Sequence, residues 1–123
     1  MARVRFKNVN LEVEVPVGST ILEAAKKVHA PEGDRCGGVC ACSTCHVYVD
    51  KGGDGLSEQE DEELDILEKA FHPRPSSRLG CQARIEKEGD YEVSISEESF
   101  RAFLDEHPDE REAAQSVWKR PGT

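Results

Sequence analysis

What this sequence lacks narrows its possibilities first. No apolar run among its 123 residues approaches the roughly 18 residues that a membrane-crossing helix needs, so no span is expected. The opening Met1-Ala2-Arg3-Val4-Arg5-Phe6-Lys7 carries charge with no apolar h-region behind it, and does not read as a signal peptide. It also lacks the Ser/Arg-rich amphipathic character of a transit peptide. There is no internal repeat and no low-complexity segment, and one domain with its own core is the simplest reading at this length. Bases are in the minority: 16 Lys and Arg face 25 Asp and Glu, for a formal charge of −9. That balance disfavours nucleic acid and anionic membrane surfaces as partners and favours basic protein surfaces. The five cysteines are an odd number, which would leave an unpaired thiol in a secreted disulfide framework. Clustered thiols fit a reducing compartment and metal or redox chemistry better. The expected setting is a bacterial cytoplasm, or a mitochondrial matrix if a transit peptide has been removed, and the expected state is a monomer.

Four of those cysteines fall within Cys36-Gly37-Gly38-Val39-Cys40-Ala41-Cys42-Ser43-Thr44-Cys45, and the fifth, Cys81, stands alone in Ser77-Arg78-Leu79-Gly80-Cys81-Gln82. Four thiolates are what protein [2Fe–2S] sites usually need. The candidate set is Cys36, Cys42, Cys45 and Cys81, spaced C-x5-C-x2-C-x35-C. The x2 gap lets two thiolates approach one cluster from a tight loop, and the x5 arm reaches around it. Gly37 and Gly38 let backbone N–H groups point inward at an anionic cluster without Cβ crowding. Small neighbours such as Ala41 permit the same close approach. Cys40 is left over, either as a small buried apolar side chain or as a thiol that assists cluster insertion.

Other thiol chemistries fit less well. Structural zinc sites usually show two short Cys-x2–4-Cys knuckles, and here the second is missing because Cys81 is single. A thioredoxin-like dithiol at Cys42-Ser43-Thr44-Cys45 would normally open a helix, whereas this one runs into the strand-like His46–Asp50. Cys45-His46 is a sequential adjacency, not a base poised over a nucleophile.

The rest of the chain frames that loop. Arg3, Arg5 and Lys7 alternate with Val4 and Phe6, and after Asn8-Val9-Asn10 the residues Leu11, Val13, Val15 and Val17 alternate with Glu12 and Glu14. This pattern predicts a β-hairpin with opposite charges on its polar positions. Gly18-Ser19-Thr20 supplies an N-cap for a short helix with Ile21, Leu22, Ala24, Ala25 and Val28 on its apolar face, ended by Pro31 and Gly33. His46–Asp50 predicts a strand and Lys51–Gly55 a loop. Residues 56–71 predict a helix with Ser57 as N-cap and Leu64, Leu67, Ala70 and Phe71 on one face, stopped by Pro73 and Pro75. Seven acids and no base lie between Glu58 and Glu68, an arrangement that repels itself along a helix and so suggests an interaction role. Ala83–Ile85 and Tyr91–Ile95 predict further strands. In the tail, Phe100, Phe103 and Leu104 suggest a helical turn pinned to the body, and Pro108 to Arg120 a second helix. The order is ββαβα followed by short strands, an α+β domain with a mixed sheet.

Cys36-x5-Cys42-Ser43-Thr44-Cys45-His46, taken with Arg78-Leu79-Gly80-Cys81-Gln82, resembles the adrenodoxin-type (vertebrate and bacterial) [2Fe–2S] ferredoxins. The plant-type pattern, with a first gap of x4, does not fit. The resemblance covers residues 1–96 and leaves 97–123 as a partly helical C-terminal extension with no motif to carry over. It implies a β-grasp ferredoxin fold holding one [2Fe–2S] cluster, with Cys36 and Cys42 on the outer iron and Cys45 and Cys81 on the inner one. His46 would tie the cluster loop to the body by hydrogen bonds. It also implies an acidic docking helix: aligned back from Cys81, Asp61, Asp65 and Glu68 fall on the family's recognition positions, with Glu62 and Glu63 between them. The implied activity is one-electron transfer without catalysis, from a flavin-dependent NAD(P)H ferredoxin reductase to an acceptor. Cys40 favours iron–sulfur cluster assembly as that acceptor. A haem monooxygenase of the cytochrome P-450 type is the alternative acceptor, and a zinc-binding interaction module is the alternative from another class.

Overall fold

The alternation at the N-terminus resolves into two strands, β1 (Ala2–Phe6) and β2 (Leu11–Val15), paired antiparallel with Arg3 opposite Glu14 and Arg5 opposite Glu12. Ala2, Val4 and Phe6 face inward and are fully buried. On the outer face Arg3 reaches Glu14 at 3.5 Å and Glu12 at 3.9 Å. These are exposed pairs that guide register more than they stabilise. Asn10 closes the turn with a positive φ of 55°, a conformation that asparagine tolerates better than most residues. The computed structural model describes residues 1–33, 45–68, 70 and 74–119.

Helix α1 (Ile21–Lys27) follows, opened by a capping box in which Thr20 Oγ1 accepts from the Glu23 amide at 3.1 Å and Glu23 accepts from the Thr20 amide at 3.3 Å. Its buried Ile21, Ala24 and Ala25 pack into the main core. The helix ends before Pro31, because the chain already turns through a positive φ at His29. Strands β3 (His46–Lys51), β4 (Ser77–Leu79) and β5 (Gly89–Ile95) complete a five-stranded sheet in the order β2-β1-β5-β3-β4. β5 lies parallel to β1 and antiparallel to β3. Two strands that enter as a hairpin, a crossover helix and a central parallel pair make the mixed sheet of a β-grasp fold. Inward-facing Tyr91, Val93 and Ile95 on β5 join α1 and β1 in one core.

The second helix differs from its expected form. Helix α2 spans Asp61–Glu68 rather than residues 56–71. Leu56 bridges to Ile85, and Ser57 donates its amide to Arg84 O at 2.8 Å. The Ser57 hydroxyl is not an N-cap: it accepts from the Arg84 amide and donates to Gln82 O. Long-range pairing has claimed the backbone that local propensity assigned to the first turn. The buried face also differs, since Leu64 is 43% exposed while Glu63 is 2% exposed. Phe71 and Pro73 lie outside the described residues.

Of residues 83–85, Arg84 and Ile85 make isolated bridges instead of a strand ladder, and the ladder strand β4 sits upstream, overlapping the start of the Arg-Leu-Gly-Cys box. In the tail, α3 (Glu97–Glu106), capped by Ser96, buries Phe100, Phe103 and Leu104. A short 3-10 turn at Pro108–Glu110 leads into α4 (Arg111–Val117), shorter than expected. Trp118 stacks on Phe100 with ring centroids 4.0 Å apart, and the Lys119 amide bonds Asn8 O. The tail therefore returns to the first hairpin.

Candidate metal centre

Cys45 immediately precedes β3, and Cys81 follows β4 after Gly80. The antiparallel register pairs His46 with Leu79, and the Gly80 amide donates to Cys45 O at 2.9 Å. Strand pairing therefore carries two thiols 36 residues apart in sequence to a sulfur–sulfur distance of 3.3 Å. That gap far exceeds the roughly 2.05 Å of a disulfide bond between the two. Cys45 is fully buried, against Leu22 of α1, Leu67 of α2 and Leu79.

The electrostatics of this pair fit a cation. Hydrogen bonding to Cys81, then burial, then the nearby Glu32 carboxylate push the Cys45 thiol far above the ordinary range. Two sulfurs sharing a buried proton are in the arrangement that a metal resolves by taking the proton's place. Two thiolates on one tetrahedral ion at about 2.3 Å each stand roughly 3.8 Å apart, a small adjustment from the separation seen here. The residues present therefore fit one iron's share of a [2Fe–2S] cluster. Cys36, Gly37, Gly38, Cys40, Ala41 and Cys42 lie outside the described residues.

Three supports hold this sulfur pair in place. The Gln82 side-chain amide stands 3.5 Å from Cys81 Sγ as a donor, and donors to sulfur are one of the ways a protein tunes such a centre. Gly80 is required by space: a Cβ there would run into the Glu32 carboxylate and come within 3.1 Å of Cys45 O. Glu63 forms a two-point contact with Arg78, at 2.8 and 3.2 Å, and also accepts from the Leu79 amide at 3.0 Å. That contact pins α2 to β4 two residues before Gly80.

His46 is fully buried, with Nε2 2.7 Å from Ser77 Oγ and its ring edge-on to Tyr48. It ties β3 to β4 directly behind Cys45. Of the expected docking acids, Asp61, Glu62, Asp65 and Glu68 are exposed on α2. Glu63 is not available for docking, because its carboxylate is fully engaged by Arg78 and Leu79 beneath the helix. The roles of Gln82, Arg78 and Glu63 were not apparent in the sequence; a charged pair spaced i and i+15 carries no local signal, and Gln82 followed a cysteine with no other cue.

Residues 4–86 match the family described as "2Fe-2S iron-sulfur cluster binding domain". This chain belongs to the adrenodoxin-type [2Fe–2S] ferredoxins. It is 47% identical over 78 residues to the "Adrenodoxin homolog, mitochondrial" of Saccharomyces cerevisiae, covering 63% of this chain and 45% of that protein. The chain thus spans under half the length of that relative. Among solved structures, an "ISC-like [2Fe-2S] ferredoxin" from Pseudomonas putida shares 40% identity with a TM-score of 0.69, covering 77% of this chain and 92% of that one. The fold also matches putidaredoxin in its covalent complex with putidaredoxin reductase, at 27% identity and a TM-score of 0.65, covering 76% and 97%.

As a ferredoxin of this type the protein carries one [2Fe–2S] cluster and acts as an electron carrier rather than an enzyme. The cluster supplies a one-electron couple. The chain's contribution is to hold the thiolates, to exclude water from Cys45 and to set the charge around the sulfurs. Among the described residues no helix is long and apolar enough to cross a membrane.

Proposed function

We propose that Cys36, Cys42, Cys45 and Cys81 are the four cluster ligands, and that the protein carries electrons from a flavin-dependent NAD(P)H ferredoxin reductase to the iron–sulfur cluster assembly machinery. The observation that carries this reading is the convergence of Cys45 and Cys81 to 3.3 Å at one end of the sheet. That meeting is what a shared inner iron requires.

Docking would fall to the exposed acids of α2, Asp61, Glu62, Asp65 and Glu68, which fit a basic surface on reductase and acceptor. The existence of a putidaredoxin–reductase complex supports a reductase as donor. Likeness to the ISC-like ferredoxin supports assembly as destination. In this reading residues 1–96 are the ferredoxin domain and 97–123 an extension, whose described part packs against that domain through Phe100, Phe103 and Trp118. The protein works as a monomer, in a bacterial cytoplasm or a mitochondrial matrix.

Single Cys-to-Ser variants test the ligand set. Changes at 36, 42, 45 and 81 each impair the visible absorption that dithionite bleaches, and Cys40→Ser leaves it intact. Retention in Cys42→Ser with loss in Cys40→Ser overturns the set. For the acceptor, the reduced protein should restore assembly of a cluster on a scaffold protein. Electron delivery to a haem monooxygenase, with none to the assembly system, replaces the proposed destination.

A further inference from the structure

The first turn of α3 lies outside the family match, yet it touches both chain segments that flank the cysteine loop. Upstream, the Gly33 amide donates to Ser99 Oγ at 2.8 Å, and Gly33 precedes Cys36 by three residues. Downstream, the Ser96 amide donates to His46 O at 3.2 Å, and His46 follows Cys45 directly. Glu98, between them, places Oε1 3.9 Å from the buried His46 Nδ1. Ser99 is itself fully buried, and its own amide is committed to Ser96 Oγ at 3.1 Å. One helical turn therefore bonds to residues 33 and 46, the first described residues on either side of the loop that carries three of the proposed ligands.

We infer that Ser99, with Ser96 and Glu98 beside it, is a positioning residue for the cluster: α3 clamps the two roots of the cysteine loop at a set spacing. This rests on the ligand set proposed above. The physical reason is the cost of the alternative. Gly33 N–H is buried with the Ser99 hydroxyl as its acceptor, and a donor left unsatisfied there favours movement of the loop's upstream root. Movement at that root is transmitted to Cys36 through only two intervening residues, whereas His46 is held independently by the β3–β4 pairing. The sheet thus fixes the downstream root, and α3 sets the upstream root relative to it. Packing of Phe100, Phe103 and Leu104 into the main core gives α3 the rigidity a clamp needs.

The test uses the full-length protein with its cluster and compares Ser99→Ala with Ser99→Thr, which keeps the hydroxyl, and with Val15→Ala, which opens the core at β2 and leaves α3 and the Gly33–Ser99 bond in place. Three readouts are taken: visible circular dichroism of the cluster, its rate of loss to a chelator, and thermal unfolding followed by Trp118 fluorescence. In Ser99→Ala the cluster is lost faster, by about fivefold or more, and its visible dichroism changes. Ser99→Thr behaves like the parent, and Val15→Ala lowers the unfolding midpoint without altering the dichroism. Unchanged dichroism and a loss rate within twofold of the parent in Ser99→Ala overturn the clamp. So does faster loss that merely tracks a lower unfolding midpoint, as in Val15→Ala. A parent protein that holds no cluster overturns the ligand set itself; a parent with a normal cluster and an indifferent Ser99→Ala overturns the clamp alone.

Discussion

Glu63 and Arg78 meet beneath α2 in a two-point contact, with Arg78 Nε 2.8 Å and Nη2 3.2 Å from the Glu63 carboxylate, and the same carboxylate takes the Leu79 amide. The contact converts an acid in a run of acids from a surface charge into a bolt between helix and sheet. Removing one partner of a buried pair leaves the other uncompensated. Glu63→Gln therefore lowers unfolding stability by about 3 kcal/mol, measured by denaturant titration, and loosens the Cys81 side of the site. Asp65→Asn, one turn face away and exposed, leaves stability within about 0.5 kcal/mol.

Gly80→Ala tests the crowding beside Cys45. The added methyl meets the Glu32 carboxylate and Cys45 O, so something must shift at the point where the two sulfurs are aligned. The expected result is an overpacking loss of about 1–3 kcal/mol together with reduced cluster content per chain, read from the ratio of visible to ultraviolet absorbance.

Gln82→Leu removes the amide that stands over Cys81 Sγ. A donor to sulfur offsets charge that builds up on reduction. The variant keeps its absorption spectrum and its reduction potential falls, as measured by redox titration. An unchanged potential would show that this amide does not tune the centre.

Neutralising Asp61, Asp65 and Glu68 together slows electron transfer from a reductase, while the absorption spectrum stays that of the parent. Because the effect is electrostatic, the gap between parent and triple variant narrows as ionic strength rises past about 0.1 M, where screening acts over roughly 10 Å. Equal rates at low salt would remove α2 as the docking face.

Tyr91 supplies a pH dependence that the cluster does not enter. Its hydroxyl lies 2.6 Å from Lys87 O and 3.2 Å from Gly55 O as a donor, and burial raises its pKa above the ordinary phenol value. A phenol raised on folding keeps its proton in the native state after the unfolded chain has lost its own. The contribution is thus complete below pH about 10 and is lost as pH rises beyond it. Tyr91→Phe costs about 1 kcal/mol at neutral pH and shows a shallower fall in stability above pH 10, checked by thermal melts across that range.

The sequence by itself was enough for the chemistry. Thiol spacing, the Cys-His step and the Arg-Leu-Gly-Cys-Gln box are contiguous patterns, and the hairpin and the N-cap of α1 rest on neighbours within a few residues of each other. Local rules reach that far because periodicity and capping are decided by nearby atoms. Tertiary structure decided what distance hides. Ser57 gave up its capping role because Arg84 and Gln82 arrived from across the fold, and β4 formed inside a motif too short to announce a strand. The acidic run looked uniform along the chain, yet one of its members, Glu63, was drawn inward by an arginine fifteen residues on, and Leu64 was turned outward as a result. Bringing Cys45 to Cys81, and α3 to both roots of the loop, likewise needed strands to pair and a tail to fold back. Those contacts are set by packing and register between segments far apart in the chain, and no single stretch of sequence encodes them.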